Sequence, residues 1–457
     1  MSSRFRSLRF ACAALVSLTF ATQPVLAQSV LRDAETEKFF QDITAPMAVS
    51  AGLSPNAVKL VLVNDQSINA FVSVGQAIFI NAGTVQQADN ANELEGVIAH
   101  ELGHIETGGS ALTAQDAMKA ATRVTLLSLL LGAAAIAAGA GEAGMAAMMA
   151  GQSAAEGKFL AFSRAVEGSA DASAVRHLND SHYSGKGMVS FFQKLKREEY
   201  RLTPSFTKID EFAVDHPMTE DRLLTLRTDL EKSPYWDAPV DKAKQDRFLR
   251  IKAKLIGYLE EPRVVLNKYP ERDQSIYAHY ARAYAWHRGG YPDKAIQEVD
   301  ALVATSPHDP FFLELKGQIL LESGKPREAL APLREAVAQS QSIPLISSLL
   351  GDALVATDDP QNLKEAAQVL KVSVQRDNEN PQAWYNLGLI YTRLGDEPRA
   401  SLASAERWSL EGNPRLAMAN AEAALRGIPQ GTPDYLRAQD LALVSADQAK
   451  KMKRGRN

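Results

Sequence analysis

The sequence predicts an α+β domain followed by an all-α solenoid, and three observations predict it. Short β-rich runs between residues 58 and 80 lie among helical patterns. A histidine-bearing amphipathic stretch, His100-Glu-Leu-Gly-His104, follows directly. From residue 273 the chain reads as helix after helix, with prolines at 310, 344, 381 and 414, at intervals of 34, 37 and 33.

The 457 residues suffice for two or three domains and a sizeable core. Apolar content of 46% and charge of 23% are ordinary for a globular chain, and a net charge of -4 points to no nucleic acid. Residues 1–27 read as a secretory signal peptide. Arg4, Arg6 and Arg9 precede an apolar run from Phe10 to Ala21, and Val25-Leu26-Ala27 is the cleavage site. The alternative, a membrane anchor, is disfavoured by the shortness of that run. Cleavage removes Cys12, the sole cysteine, which excludes disulfides and thiolate ligands, and takes the net charge from -4 to -7. The expected destination is the periplasm.

In chain order, Leu31 to Ala51 suits one helix with Phe39, Phe40, Ile43 and Met47 on its apolar side. Val58 to Val63 reads as a strand, and Ile68 to Ile80 as two short strands broken at Gly75. Asn81-Ala-Gly83 is a turn into a short helix. Such a hairpin offers either an edge strand that an extended peptide can join, or mere cover for the core.

On a helix, His100 and His104 stand one turn apart on one face, so both imidazoles reach one ion. Glu101 lies beside them, placed to take a proton from a metal-bound water. Leu94, Val97, Ile98, Leu102 and Ile105 form the apolar side, Asn92 with Glu95 reads as a capping box, and Gly108-Gly109 ends the helix. Val124 to Gly141 is free of charge, and Ala, Gly and Met dominate on to Ala155. This stretch reads as a buried helix plus a mobile loop, or as a flap that touches a membrane or an unfolded client.

Ser163 to Leu178 returns to helix and holds Glu167 and Asp171, again an i, i+4 pair. Two histidines leave a tetrahedral zinc site short of one protein ligand, and Glu167 is the candidate. Asp171 is placed to accept the second N–H of a ligand histidine. His216, before Pro217, sits on an extended or turning backbone, and Thr219 caps a helix containing Arg222. His216 can approach the metal or the substrate oxyanion, and Arg222 can stabilise developing negative charge; the alternative is a surface turn before a capped helix. His177, His182, His279, His287 and His308 read as structural or solvent-facing.

Residues 234–272 read as a linker and connecting helix, and 273–449 as tandem helix pairs with tetratricopeptide spacing. Gly317, Gly351 and Gly388 permit close packing within a pair, and Ala329, Ala366 and Ala400 fill the contact between helices. Ala417 to Ala449 suits a degenerate further pair, and 450–457 a disordered basic tail. Such stacks present a groove for peptides or proteins.

Taken together, His100-Glu101-x-x-His104, Glu167-x-x-Ala-Asp171 and His216-Pro217 with Arg222 resemble the gluzincin peptidases of the HtpX and CAAX-prenyl-protease type. With the signal peptide and repeats, the chain is similar to the periplasmic members of that group. The resemblance implies an α+β zincin-like metallopeptidase domain (28–233) followed by an all-α tetratricopeptide-repeat solenoid. It implies one zinc ion held by His100, His104 and Glu167, with Glu101 as general base and His216 able to occupy the open zinc position. It also implies degradation of misfolded or stalled outer-membrane proteins and help in their assembly. The repeats would then engage the barrel-assembly machinery or outer-membrane barrels. The charge-free stretch after Val124 matches a flexible, membrane-facing region of that group, and its Ala- and Gly-rich composition to Ala155 is the one departure. A chaperone or assembly adaptor, with a latent zinc site, is the alternative function.

Overall fold

Four short strands position the first domain: β1 (Val30–Leu31), β2 (Lys59–Val63), β3 (Ala70–Val72) and β4 (Ala77–Asn81), in the order β1-β2-β4-β3. This computed structural model describes residues 30–72, 76–108, 125, 127–131, 141–202, 216 and 218–454. The expected signal peptide, the break at Gly75, and Gly109, Pro217 and much of the charge-free stretch lie outside them. β3 and β4 form the expected antiparallel hairpin, whereas β2 runs parallel to β4. Alternation sends Leu60, Leu62, Ile78 and Ile80 into the core and leaves Lys59, Val61, Ala77 and Phe79 on the outer face.

Helix α1 (Ala34–Ser50) lays Phe39, Phe40, Ile43 and Met47 against that core. It starts later than its apolar pattern because Leu31 pairs in β1 and Asp33 caps Thr36 N at 2.8 Å. Then follow α2 (Ala82–Gln87), α3 (Ala91–Thr107), α4 (Gly141–Asp180), α5 (Lys186–Leu202) and α6 (Glu220–Leu230). The cap of α3 is not Asn92 with Glu95. Asn90 accepts from Glu93 N at 3.0 Å, and the Glu93 carboxylate reaches back to Asp89 N at 2.8 Å. Asn92 instead ties α3 to α5, donating to Ser184 O (2.8 Å) and accepting from Gly187 N (2.8 Å). Gly108, at φ 67°, closes the helix in the left-handed region.

Helix α4 is longer than its expected core at 163–178 and takes in the Ala-, Gly- and Met-rich residues from 141. Alanine favours helix, which overrides the loop reading there. Leu127, Leu130 and Leu131 are 60%, 68% and 67% exposed, so this part of the stretch is not a buried helix. Among the described residues no helix is long and apolar enough to cross a membrane.

Beyond residue 241 come α7 (Lys242–Leu259), α8 (Pro262–Lys268), and the pairs α9 (Ile276–Arg288)/α10 (Pro292–Thr305) and α11 (Pro310–Glu322)/α12 (Pro326–Gln339). The solenoid continues with α13 (Pro344–Ala356)/α14 (Pro360–Arg376), α15 (Pro381–Arg393)/α16 (Glu397–Leu410) and α17 (Pro414–Leu425)/α18 (Pro433–Arg454). Each proline that marked a repeat occupies the first turn of its helix, where its missing N–H costs nothing. A Cβ on Gly317 would meet Leu333 Cγ at 2.3 Å, and one on Gly351 would meet Leu370 Cδ2 at 2.5 Å. The basic tail is helical through Arg454 rather than disordered, because it prolongs α18.

The connecting segment is part of the first core. Phe248, Ile251 and Leu255 of α7 pack with α1 and α3, while α7 also packs along α9. A buried ionic junction joins the two halves. Arg250 pairs with Glu35 (2.7 Å) and Asp309 (2.8 Å), Tyr280 donates to Glu35 (2.6 Å), and Lys254 pairs with Asp33. Glu314 of α11 lies beside Asp33 and Lys254. Burial, only partly offset by Lys254, pushes its pKa from 4.5 up to about 8. The folded chain therefore holds a proton between those pH values that the unfolded chain gives up, so stability falls as pH rises through that window. Glu314→Gln is expected to flatten that slope and to add about 1–3 kcal/mol at pH 8, measured by urea unfolding at pH 6 and 8.

Candidate metal centre

Helices α3 and α4 cross at Gly103, where a Cβ would lie 2.4 Å from Ala170 O. That close approach sets Glu167 and Asp171, on either side of Ala170, against His100 and His104. His216 stands just before α6, whose cap Thr219 accepts from Arg222 N at 3.2 Å. All seven residues singled out from the sequence meet in one buried site.

His100, His104, Glu167 and His216 are buried, and their ligand atoms lie within 4.8 Å of one another. His100 Nε2 is 3.1 Å from His104 Nε2 and 3.2 Å from His216 Nδ1, and His104 Nε2 is 3.3 Å from His216 Nδ1. Glu167 Oε1 is 3.1 Å from His216 Nδ1 and 3.4 Å from His104 Nε2, and Oε2 is 3.3 Å from His100 Nε2. Bonds of about 2.0–2.1 Å from a tetrahedral zinc ion give donor–donor edges of about 3.3 Å. The three imidazole edges match that spacing, and the Glu167 carboxylate meets them through both oxygens, Oε1 toward His104 and His216 and Oε2 toward His100; three imidazoles with one carboxylate suit zinc.

Around these donors, His100 Nδ1 lies 3.0 Å from Asp171 Oδ1, which leaves Nε2 facing the donor cluster. Arg222 forks onto Asp171 through Nε (2.6 Å to Oδ2) and Nη2 (2.9 Å to Oδ1), while Nη1 reaches Glu167 Oε2 at 2.8 Å. Glu101, fully buried, has Oε1 3.5 Å from His216 Nε2. Burial opposes charge on His100, yet its bonds to Asp171 and Glu167 raise its pKa to about 9. Burial and the neighbouring His100 lower His104 to about 3. Against its burial, Glu167 is held well below the usual carboxylate range by His100 and His216. Metal uptake must therefore displace a proton from His100. Asp171→Ala is expected to weaken zinc binding about 10–100-fold, measured by competition with a chromogenic chelator.

Two contributors were not read from the sequence. Phe192 of α5 sets its ring edge-on to His100 (5.5 Å between centroids) and under the Arg222 guanidinium (5.6 Å). Gly103, inside the motif, is the contact that brings α4 close; a glycine in mid-helix was its only signal. Of the other histidines, His177 is buried against Ser50 (3.0 Å), and His279 pairs with Glu298 (2.6 Å).

Residues 34–229 match peptidase family M48, and residues 315–381 match a tetratricopeptide repeat family. The chain is 25% identical over 361 residues to a beta-barrel assembly-enhancing protease of Escherichia coli (strain K12), covering 77% of this chain and 71% of that protein. It is 23% identical over 398 residues to a putative beta-barrel assembly-enhancing protease of Vibrio cholerae, covering 84% and 79%. Among solved structures, YrrB, a TPR protein with an unusual peptide-binding site, is 16% identical with a TM-score of 0.32, covering 38% of this chain and 91% of that one. The chain is thus a metalloprotease similar to the beta-barrel assembly-enhancing proteases, with a peptidase family M48 domain followed by tetratricopeptide repeats.

Proposed function

We propose that this chain is a zinc-dependent endopeptidase of the bacterial periplasm. It would degrade misfolded or stalled outer-membrane proteins and assist their assembly. The observation that carries the reading is the tetrahedron of donors from His100, His104, Glu167 and His216, with Glu101 against it. The names of the relatives support the envelope setting.

Zinc, when bound, supplies a Lewis acid for water and for the scissile carbonyl. Glu101 takes the proton of the attacking water and passes it to the leaving amine. Asp171 fixes the His100 tautomer, and Arg222 holds Asp171 and Glu167 in place. With its guanidinium engaged by both carboxylates, Arg222 is foremost a positioning residue, and oxyanion support is a second role. His216 stands at the vertex that a catalytic site keeps open for water, so it acts as a latch that must withdraw.

His216→Ala tests the latch. Cleavage of a loosely folded protein should rise about tenfold or more, with zinc retained. A fall in activity with zinc retained would instead make His216 a catalytic group. The exposed Leu127, Leu130, Leu131, Met145 and Met149 favour a second, compatible reading as a holder of apolar clients or a membrane-touching flap. In it the repeats act as adaptor to outer-membrane barrels or their assembly machinery.

A further inference from the structure

The sheet has a second edge, opposite the β3 side of the hairpin, that β1 covers only in part. β1 pairs with β2 at two positions, Val30 with Val63 and Leu31 with Leu62. Asp33 then turns the chain away to cap α1. Lys59 donates to Gln76 O on the β4 side at 3.0 Å. The N–H and C=O of Leu60, the next residue, therefore face the β1 side, where no strand of the described residues pairs with them. A cleft of about 1010 Å³ opens there, between the outer face of the sheet and the turns of the solenoid. Its floor is Val61, Ala77 and Phe79, and its far wall is Ile343, Pro344 and Leu345. The floor is apolar beyond the cleft as well, since Phe71 stacks on Phe79 at 5.2 Å.

Rim charges decide what the cleft can take. Arg32 pairs with Asp377 (2.8 Å), Lys59 with Glu379, and Lys38 with Asp42. Arg32 also pairs with Glu37 on the same rim, so each of these cations already has a carboxylate and the rim presents no unpaired cation to a ligand. The recognition left is backbone pairing and apolar contact, which suits an extended, uncharged segment with apolar residues at alternate positions. The three β2 residues beyond the ladder span about 10 Å, room for a short strand.

We infer that this cleft is a client-docking exosite, in which an extended segment of an unfolded β-rich protein continues the place of β1 along β2. The inference rests on the proposed role in envelope-protein turnover for the identity of the client. It gives the repeats a direct part: their turns form one wall of the dock, and the Arg32–Asp377 and Lys59–Glu379 pairs fix the spacing of the walls. Docking here leaves the metal-side hairpin edge free for the segment to be cut.

The test uses the full mature chain carrying Glu101→Gln, so that binding is read without cleavage. The probe is a fluorescein-labelled peptide of about ten alternating valines and threonines with blocked ends, followed by anisotropy. Phe79→Ala and Val61→Asp, each with its thermal unfolding measured, should weaken binding at least tenfold. The same peptide with proline at two central positions should lose at least tenfold against the unaltered protein, because it cannot donate to Leu60. A benzophenone at position 56, on the rim of the cleft, should crosslink the probe. Equal affinity of the proline peptide, or probe crosslinks confined to α15 and α17, would overturn the inference. So would a dimer in sedimentation that Val61→Asp disrupts, since a second copy would then be the occupant. In the cleavage-competent chain, Phe79→Ala should raise KM for an unfolded barrel protein and leave kcat unchanged. A His216→Ala chain that binds the probe as expected, holds zinc and cleaves nothing would refute the protease reading and leave the dock standing.

Discussion

Glu101→Gln is expected to lower peptide cleavage by about 10²–10⁴-fold while one zinc ion per chain remains bound. The donor atoms come from His100, His104, Glu167 and His216, so the amide replacement leaves the tetrahedron intact. Glutamine has nearly the shape of glutamate and cannot accept the proton of the attacking water. Glu101 is fully buried on a helix packed against α4 and α5, which leaves little room for another base to move in. Initial rates on an unfolded barrel protein, beside elemental analysis of both chains, measure it. Loss of zinc in the variant would make Glu101 part of the metal shell.

Arg222→Ala is expected to destabilise the metal-free peptidase domain by about 3–5 kcal/mol. The guanidinium, itself mostly buried, lies within 2.9 Å of carboxylate oxygens on both Asp171 and Glu167. Its pKa is raised further: burial opposes the charge, but the bond to Asp171 and the carboxylates around it prevail. Removing it leaves two buried carboxylates facing each other with only His100 and His216 to balance them. Arg222→Lys should recover part of the loss, because one ammonium cannot reproduce the fork. Urea unfolding with and without zinc measures both. Unchanged stability and zinc content with a lowered kcat would place Arg222 at the reacting carbonyl instead.

What was legible in the sequence was what local spacing controls. Four-residue spacings place His100 with His104 and Glu167 with Asp171 on single helix faces, and the recurring prolines mark the repeat helices. Where two local patterns competed, long-range contacts decided. Asn90–Glu93 and Asn92–Glu95 have the same capping spacing, and what decides between them is that Ser184 and Gly187, far off in sequence, claim Asn92. A two-residue strand such as β1 carries no periodicity, and the parallel pairing of β2 with β4 depends on where the intervening chain turns. The reach of α4 was hidden by a composition that serves helix and loop alike. That His216 joins the other donors followed from no spacing at all; it depends on α6 packing against α4 and α5.

The most direct test of the account is cleavage of an unfolded outer-membrane barrel protein by the purified chain after chelation, and again after one equivalent of zinc. The account predicts that activity disappears with the metal and returns at one ion per chain, and that His100→Ala neither binds the ion nor cleaves. Cleavage that survives complete removal of the metal would contradict it.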